Sequence, residues 1–143
     1  MLPDKLHDAA LAGTCDALQC TLILTEGDSA ASFALRGLDI IGRDRYGVFP
    51  LRGKIVNPRL KTHRKRQRDD ISDNTEIAEA FCSLGLDPAN TSDVSSLRYG
   101  KCVIMTDADV DGLHIRGLFV NLLHFYCPSL LAISGFLSFF VSP

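Results

Sequence analysis

The clearest structural signal in the chain is Leu22-Ile23-Leu24-Thr25-Glu26-Gly27-Asp28-Ser29-Ala30. Its first half continues an apolar run from Cys20, which is typical of a central strand that is buried on both faces of a parallel sheet. A helical pattern begins at Ser29, with Asp28 or Ser29 placed to cap it. The stretch therefore predicts a strand over Cys20 to Leu24, an acidic turn and then a helix.

The same order of elements recurs further along the chain. Cys102-Val103-Ile104-Met105 predicts a strand, and it precedes the acidic run Asp107-Ala108-Asp109-Val110-Asp111-Gly112 and a second apolar helix. Another strand is predicted over Tyr46 to Leu51. A helix is predicted that carries the apolar residues Ile77, Ala80, Phe81 and Leu84 and ends at Gly85. Strands that alternate with helices predict an α/β fold with a parallel sheet, whose ligands bind at the carboxyl ends of the strands. Both acidic motifs lie at such ends.

Length and composition restrict the class of protein. The 143 residues fit one domain with a real core, and 15 Lys and Arg against 17 Asp and Glu give no overall electrostatic case for nucleic acid. The five cysteines are odd in number and contain no Cys-x-x-Cys pair, which argues against a disulfide framework or a zinc knuckle. A reducing compartment is expected.

The stretch from Gly117 to Val141 contains no Asp, Glu, Lys or Arg and is long enough to span a bilayer. Pro128 lies in its middle, and several polar residues interrupt it. This pattern favours a buried helix, a turn at Cys127-Pro128-Ser129 and a short buried strand. We therefore expect no membrane partner.

The acidic run starting at Asp107 resembles the beginning of a calcium-binding EF-hand loop, but the rest of that pattern is missing. Position 12 of such a loop would be Leu118, where a bidentate glutamate is required, and a strand precedes the run instead of a helix. Asp111 could also simply cap the next helix. Three alternating aspartates repel one another unless a cation lies among them, and clustered carboxylate oxygens attract Mg²⁺.

Three ordered motifs resemble the TOPRIM domain of type IIA DNA topoisomerases, and the eukaryotic-type DNA topoisomerase II is the better match. The resemblance implies an α/β, Rossmann-like TOPRIM domain with a parallel sheet of about four strands flanked by helices. Residues 1–19 show little periodicity and are expected to form a lead-in segment. The resemblance implies a TOPRIM domain over 20–143, whose C-terminal end leads towards a winged-helix domain. The motifs are Leu22 to Ala30, Gly42 to Lys54 and Met105 to Gly112.

The resemblance also implies roles for the acidic residues. Glu26 matches the catalytic, metal-binding glutamate of the family, Asp107 the aspartate that serves both metal positions, and Asp109 a catalytic ligand of the second metal. Asp111 is implied as a supporting metal ligand. The implied cofactor is Mg²⁺, which Mn²⁺ or Ca²⁺ could replace in vitro. The role of His114 stays open between orienting a carboxylate or phosphate and a structural one.

Three further residues match positions that touch the DNA backbone in the family. They are Arg52, Lys54 and Asn57, and phosphate contacts of this kind position a duplex without reading its sequence. Pro58 departs from the family pattern beside them and could redirect the chain. The basic run from Lys61 to Arg68 is open to three interpretations: DNA backbone contact, a nuclear import signal or a solvated loop.

The implied function is that of an ATP-dependent type II DNA topoisomerase, an isomerase that works as a homodimer on double-stranded DNA. We expect it in the nucleus or another intracellular compartment that contains DNA. The family's tyrosine nucleophile lies in a separate winged-helix domain and its ATPase region precedes TOPRIM, so the chain is expected to be a fragment that does not cut DNA alone. None of Tyr46, Tyr99 and Tyr126 matches the nucleophile.

Two alternatives from other classes stay open. One is a stand-alone TOPRIM nuclease or primase-like enzyme, although such proteins lack a segment like Pro50-Leu51-Arg52-Gly53-Lys54 at this place. The other is a non-catalytic DNA-binding fragment.

Overall fold

The computed structural model describes residues 2–51, 75–86, 96–107 and 110–142 of the chain. At positions 27–28, 75, 107, 110–114, 125–126 and 141–142 it describes the backbone alone.

Strands and helices alternate along the described chain, as the sequence predicted. A 3-10 turn at Ala17–Gln19 precedes them. In chain order the elements are β1 (Thr21–Glu26), α1 (Gly27–Ile41), β2 (Tyr46–Leu51), α2 (Thr75–Leu84), β3 (Lys101–Asp107), α3 (Val110–Tyr126), α4 (Pro128–Leu131) and β4 (Leu137–Ser142).

The four strands form one parallel sheet in the order β2-β1-β3-β4. The register aligns Thr21 with Tyr46 on one side and with Lys101 on the other. All four strands therefore have their carboxyl ends at the same edge of the sheet. This arrangement confirms the predicted α/β fold with about four parallel strands.

Helices cover both faces of the sheet, and β1 contributes to a core on each. Leu22 and Leu24 belong to a larger core that also contains apolar residues of α2 and α3. Ile23 belongs to a smaller core, where it packs with residues of α1. Successive residues of a strand point to opposite faces, so a continuously apolar strand is what two covered faces require.

Two details of the prediction are wrong. Helix α1 begins at Gly27, so Asp28 and Ser29 are helical residues and not its N-cap, because β1 extends to Glu26 and turns directly into the helix. The last strand is not fully buried, since Phe139 and Phe140 are 47% and 45% exposed. The reason is that β4 lies at the outer edge of the sheet and, among the described strands, pairs only with β3.

The stretch after Gly117 contains the rest of α3, which ends at Tyr126, and the short helix α4, which has Pro128 at its start. The predicted turn after the long helix is therefore a helical turn. In the part of the chain that is described, no helix has the length and apolar character needed to cross a membrane.

Residues before β1 close the other edge of the sheet. His7 pairs antiparallel with Val48 of β2 through backbone hydrogen bonds of 2.9 and 2.8 Å. The Lys5 ammonium group binds the Glu76 carboxylate on α2 and lies 4.7 Å from the ring centroid of Phe49. These contacts cover an otherwise open strand edge, which natural proteins tend to protect.

Candidate metal centre

Glu26 lies at the carboxyl end of β1, which lies between β2 and β3 in the sheet. It is the last residue of the strand and the N-cap of α1, and its side chain makes no capping hydrogen bond to that helix. In the sheet it pairs with Leu51, the last residue of β2. Its side chain is partly exposed, so it is accessible at this edge.

Asp107 lies at the carboxyl end of the neighbouring strand. It is the last residue of β3, and the register that pairs Thr25 with Met105 places Glu26 beside Thr106, one residue before Asp107. With a strand spacing of about 4.8 Å and a rise of about 3.3 Å per residue, the Cα atoms of Glu26 and Asp107 are about 6 Å apart. The structure thus brings together two motifs that are eighty positions apart in the chain, on neighbouring strands at one edge.

The other predicted site residues are described in part or not at all. The backbone of Asp111 lies in the first turn of α3, four residues past Asp107. Asp109 and the predicted DNA contacts Arg52, Lys54 and Asn57 lie outside the described residues, as does the basic run from 61 to 68. Among the side chains that are described, no group of three or more His, Cys, Asp or Glu could hold a metal ion.

The backbone provides positive potential at this edge. Helices α1 and α3 begin at Gly27 and Val110, directly after or close behind the ends of β1 and β3. Helix N-termini carry a partial positive charge, which favours carboxylates in the first turn.

The donor set here consists of carboxylate oxygens, which suit Mg²⁺, Mn²⁺ and Ca²⁺ better than softer metals. The residues present therefore fit a hard divalent cation.

One contact beside this edge was not predicted from the sequence. The Arg116 guanidinium group of α3 donates a hydrogen bond of 2.6 Å from Nη1 to Oγ1 of Thr106. Thr106 is buried and directly precedes Asp107. A signal was present in the sequence, because Arg116 is the single Lys or Arg in helix α3, which is mostly apolar beyond its first turn.

These features define a class: α/β proteins with a parallel sheet in which two neighbouring strands end in acidic residues at one edge. Within that class the chain can be assigned to a family. The family model described as "Toprim domain" matches residues 21–133, which is most of the chain. The chain belongs to the Toprim domain family.

Relatives of known name agree with this assignment. The chain is 51% identical over 141 residues to DNA topoisomerase 2 of Plasmodium falciparum, covering 97% of this chain and 10% of that protein. It is 52% identical over 143 residues to human DNA topoisomerase 2-beta, covering 97% of this chain and 8% of that protein. These matches confirm the resemblance to DNA topoisomerase II that the three motifs indicated.

A solved structure gives the same result for the fold. It is titled "Crystal structure of Plasmodium falciparum topoisomerase II DNA-binding, cleavage and re-ligation domain". It superposes with a TM-score of 0.86 at 50% sequence identity, covering 100% of this chain and 19% of that chain. The chain spans about a tenth of the length of the curated relatives it matches.

Proposed function

We propose that this chain is the Mg²⁺-binding Toprim part of an ATP-dependent type II DNA topoisomerase, which changes DNA topology by transient double-strand cleavage, strand passage and religation. One observation carries the proposal: Glu26 and Asp107 end neighbouring parallel strands at one edge of the sheet. Sequence identity of about 50% to DNA topoisomerase 2 over 97% of the chain supports it.

Four acidic residues are assigned to the metal in this proposal. Glu26 and Asp107 hold the ion with Asp109, and Asp111 supports them. Bound Mg²⁺ would stabilise charge on the phosphate and on the leaving 3′ oxygen of the DNA strand that is cut. Glu26 supplies a carboxylate that is partly exposed at the carboxyl end of β1.

The DNA contacts are assigned to the segment that follows β2. Leu51 ends β2 beside Glu26, and Arg52 is the next residue in the sequence. Arg52, Lys54 and Asn57 would hold the DNA backbone by phosphate contacts that do not read sequence. Cleavage without strong sequence preference is the expected consequence.

The nucleophile and the ATPase are assigned to other regions of the enzyme, which would act as a homodimer on double-stranded DNA in the nucleus or another DNA-containing compartment. The environment of Tyr99 supports the assignment of the nucleophile to another region. Tyr99 is fully buried, and its hydroxyl accepts a 3.0 Å hydrogen bond from the Ala9 N–H and donates to Asp8. A hydroxyl held in this way is inaccessible to a DNA phosphate, which supports a nucleophile supplied by another region of the enzyme.

Metal binding tests the proposal. Isothermal titration of Mn²⁺ into the 143-residue chain should show binding that Glu26→Gln and Asp107→Asn each weaken at least tenfold, because each change removes a charged ligand and keeps the shape of the side chain. Asp39→Asn is the matched control, since Asp39 is exposed near the end of α1 and pairs with Arg43. It should bind Mn²⁺ as the unchanged chain does.

Two outcomes would overturn the proposal. Unchanged Mn²⁺ affinity in both Glu26→Gln and Asp107→Asn would remove the metal site. DNA binding that needs no metal and stays intact in Asp107→Asn would favour a non-catalytic DNA-binding module instead. In the full-length enzyme, either variant should abolish relaxation of supercoiled plasmid, with Asp39→Asn again as the control.

A further inference from the structure

Arg116 of α3 and Thr106 of β3 form a hydrogen bond close to the carboxyl end of β3. The Thr106 side chain is 1% exposed, and Arg116 Nη1 lies 2.6 Å from its Oγ1. A hydrogen bond from an ionised donor is shorter and stronger than one between neutral groups. This bond joins α3 to the penultimate residue of β3.

In the part of the chain that is described, the Arg116 guanidinium group has few partners. Among the described side chains, no carboxylate lies within ion-pair distance of its guanidinium group, and Thr106 is its one hydrogen-bond partner there. Arg116 is partly buried, and an arginine in such a position usually pairs with an acid. The charge is therefore not explained by a structural ion pair within that part of the molecule.

The position of Thr106 gives the bond its significance. Thr106 lies in register beside Glu26 and directly precedes Asp107. Its side chain lies on the face of the larger core, with Cys102 and Ile104, because residues two apart on a strand share a face. The guanidinium group thus holds the last residues of β3, at the point where the chain leaves the sheet.

We propose that Arg116 is a positioning residue for the metal centre: through Thr106 it fixes the end of β3 and so the placement of Asp107. The inference rests on the proposed function, since it needs Asp107 to be a metal ligand. Ligands that are held in place bind a metal more tightly, because less conformational freedom is lost on binding. Residues that contact the ligands and not the metal itself can therefore change metal affinity strongly.

The sign of the effect separates positioning from simple electrostatics. Arg116 is a cation close to a cation site, so removal of its charge alone would strengthen metal binding. Loss of a positioning contact would weaken it. Thr106→Val removes the hydroxyl at nearly constant shape and keeps the Arg116 charge, so it isolates the positioning effect.

The experiment measures Mn²⁺ binding to the 143-residue chain by the electron paramagnetic resonance signal of free Mn²⁺. Arg116→Gln and Thr106→Val should each weaken Mn²⁺ affinity about tenfold, the lower end of the effect of outer partners at metal sites. The double variant should be no weaker than either single one, because both changes break the same bond. Thr106→Ser should bind Mn²⁺ nearly as tightly as the unchanged chain, since it keeps the hydroxyl.

Arg43→Gln is the matched charge control, because Arg43 is exposed, pairs with Asp39 and lies just before the amino end of β2, at the opposite edge of the sheet from Glu26. It should bind Mn²⁺ as the unchanged chain does. Circular dichroism at the titration temperature ensures that each variant compared is folded. If Arg116→Gln does not fold, the comparison of Thr106→Val with Thr106→Ser still decides, because a hydroxyl that matters must show a difference between them.

Three results would overturn the inference. Unchanged or tighter binding in Arg116→Gln would show that the contact does not position the ligand. Equal Mn²⁺ affinity of Thr106→Val and Thr106→Ser would show the same. Failure of the unchanged chain to bind Mn²⁺ would remove the proposed function and the inference with it, whereas binding that Glu26→Gln weakens and Arg116→Gln does not would remove the inference alone.

Discussion

Thr25 and Thr106 are buried threonines near the ends of the neighbouring strands β1 and β3. Of the two, only Thr106 has a hydrogen-bond partner for its hydroxyl among the described residues. Thr25 pairs in register with Met105, so the two side chains lie on opposite faces of the sheet. Arg116 donates to Thr106 on the larger-core face. A buried polar group without a partner costs free energy, so the two hydroxyl groups should have opposite effects on stability.

We expect Thr25→Val to raise the free energy of unfolding by about 1 kcal/mol, because it removes a buried hydroxyl that makes no hydrogen bond. Thr106→Val should lower it by about 1 to 2 kcal/mol, because the Arg116 guanidinium loses its acceptor. Urea denaturation of the two variants measures both changes. A shift in the same direction in both would contradict the assignment of partners.

Much of the fold could be predicted because the signals are local. Strand β2 has the predicted limits Tyr46 and Leu51, and α2 ends before Gly85, whose φ of +91° suits a glycine at the end of a helix. The continuous apolar character of β1 indicated burial on both faces, and both cores are present. The order of strand, acidic turn and helix was enough to predict a parallel sheet with its acids at one edge.

Other features depend on contacts between distant residues, which no local pattern encodes. Tyr99 and Asp8 are 91 positions apart, and the pairing of His7 with Val48 closes a strand edge from outside the predicted domain limits. The exposure of β4 follows from its place in the strand order and not from its apolar composition. The contact of Arg116 with Thr106 also depends on how α3 packs against β3.

Gly47 is a second place where packing decides stability. A Cβ atom added there would lie 2.3 Å from Oη of Tyr99 and 3.0 Å from the carbonyl oxygen of His7. We expect Gly47→Ala to lower the free energy of unfolding by about 2 to 3 kcal/mol, since the site is already filled. Gly37→Ala is the control, because nothing lies within 4 Å of that position in helix α1, and it should raise stability by about 0.5 to 1 kcal/mol.

A double variant tests whether the Tyr99 hydroxyl is the obstacle. Tyr99→Phe alone should cost about 1 to 3 kcal/mol, because the Ala9 N–H and the Asp8 carboxylate lose their partner. The combination of Gly47→Ala with Tyr99→Phe should cost less than the sum of the two, as expected for residues in contact. Strict additivity in thermal unfolding would contradict the predicted clash.

The edge strand β4 should limit solubility. Phe139 and Phe140 are both about half exposed on a strand that pairs on one side only, and such edges promote association. We expect Phe139→Thr with Phe140→Thr to reduce concentration-dependent light scattering of the chain, because threonine keeps the strand preference and removes apolar area. Leu18→Thr is the control, since Leu18 is 73% exposed but lies before β1 and outside the strands. An equal effect of the control would contradict a role for the edge.

Stability should also fall in alkaline solution, because burial raises the pKa of three thiols, that of Cys20 and those of Cys127 and Cys102. It raises the pKa of Cys127 to about 12 and that of Cys102 further, and both side chains are fully buried. In the unfolded chain a thiol ionises near pH 8.5, so above that pH the unfolded state loses protons that the folded state keeps. The free energy of unfolding should be at its full value below about pH 8.5 and fall as the pH rises towards the folded pKa.

Each buried thiol should contribute a slope of about 1.4 kcal/mol per pH unit above that point. Urea denaturation between pH 7 and pH 10.5 measures the decline in the unchanged chain. Cys102→Ala should start from a lower stability, because it leaves a small cavity, and should decline less steeply by the share of one thiol. Cys15→Ala is the control, because Cys15 is exposed to solvent, and it should keep the original slope. Identical slopes for Cys102→Ala and the unchanged chain would mean that the Cys102 thiol ionises as readily in the folded chain as in the unfolded one, which its full burial opposes.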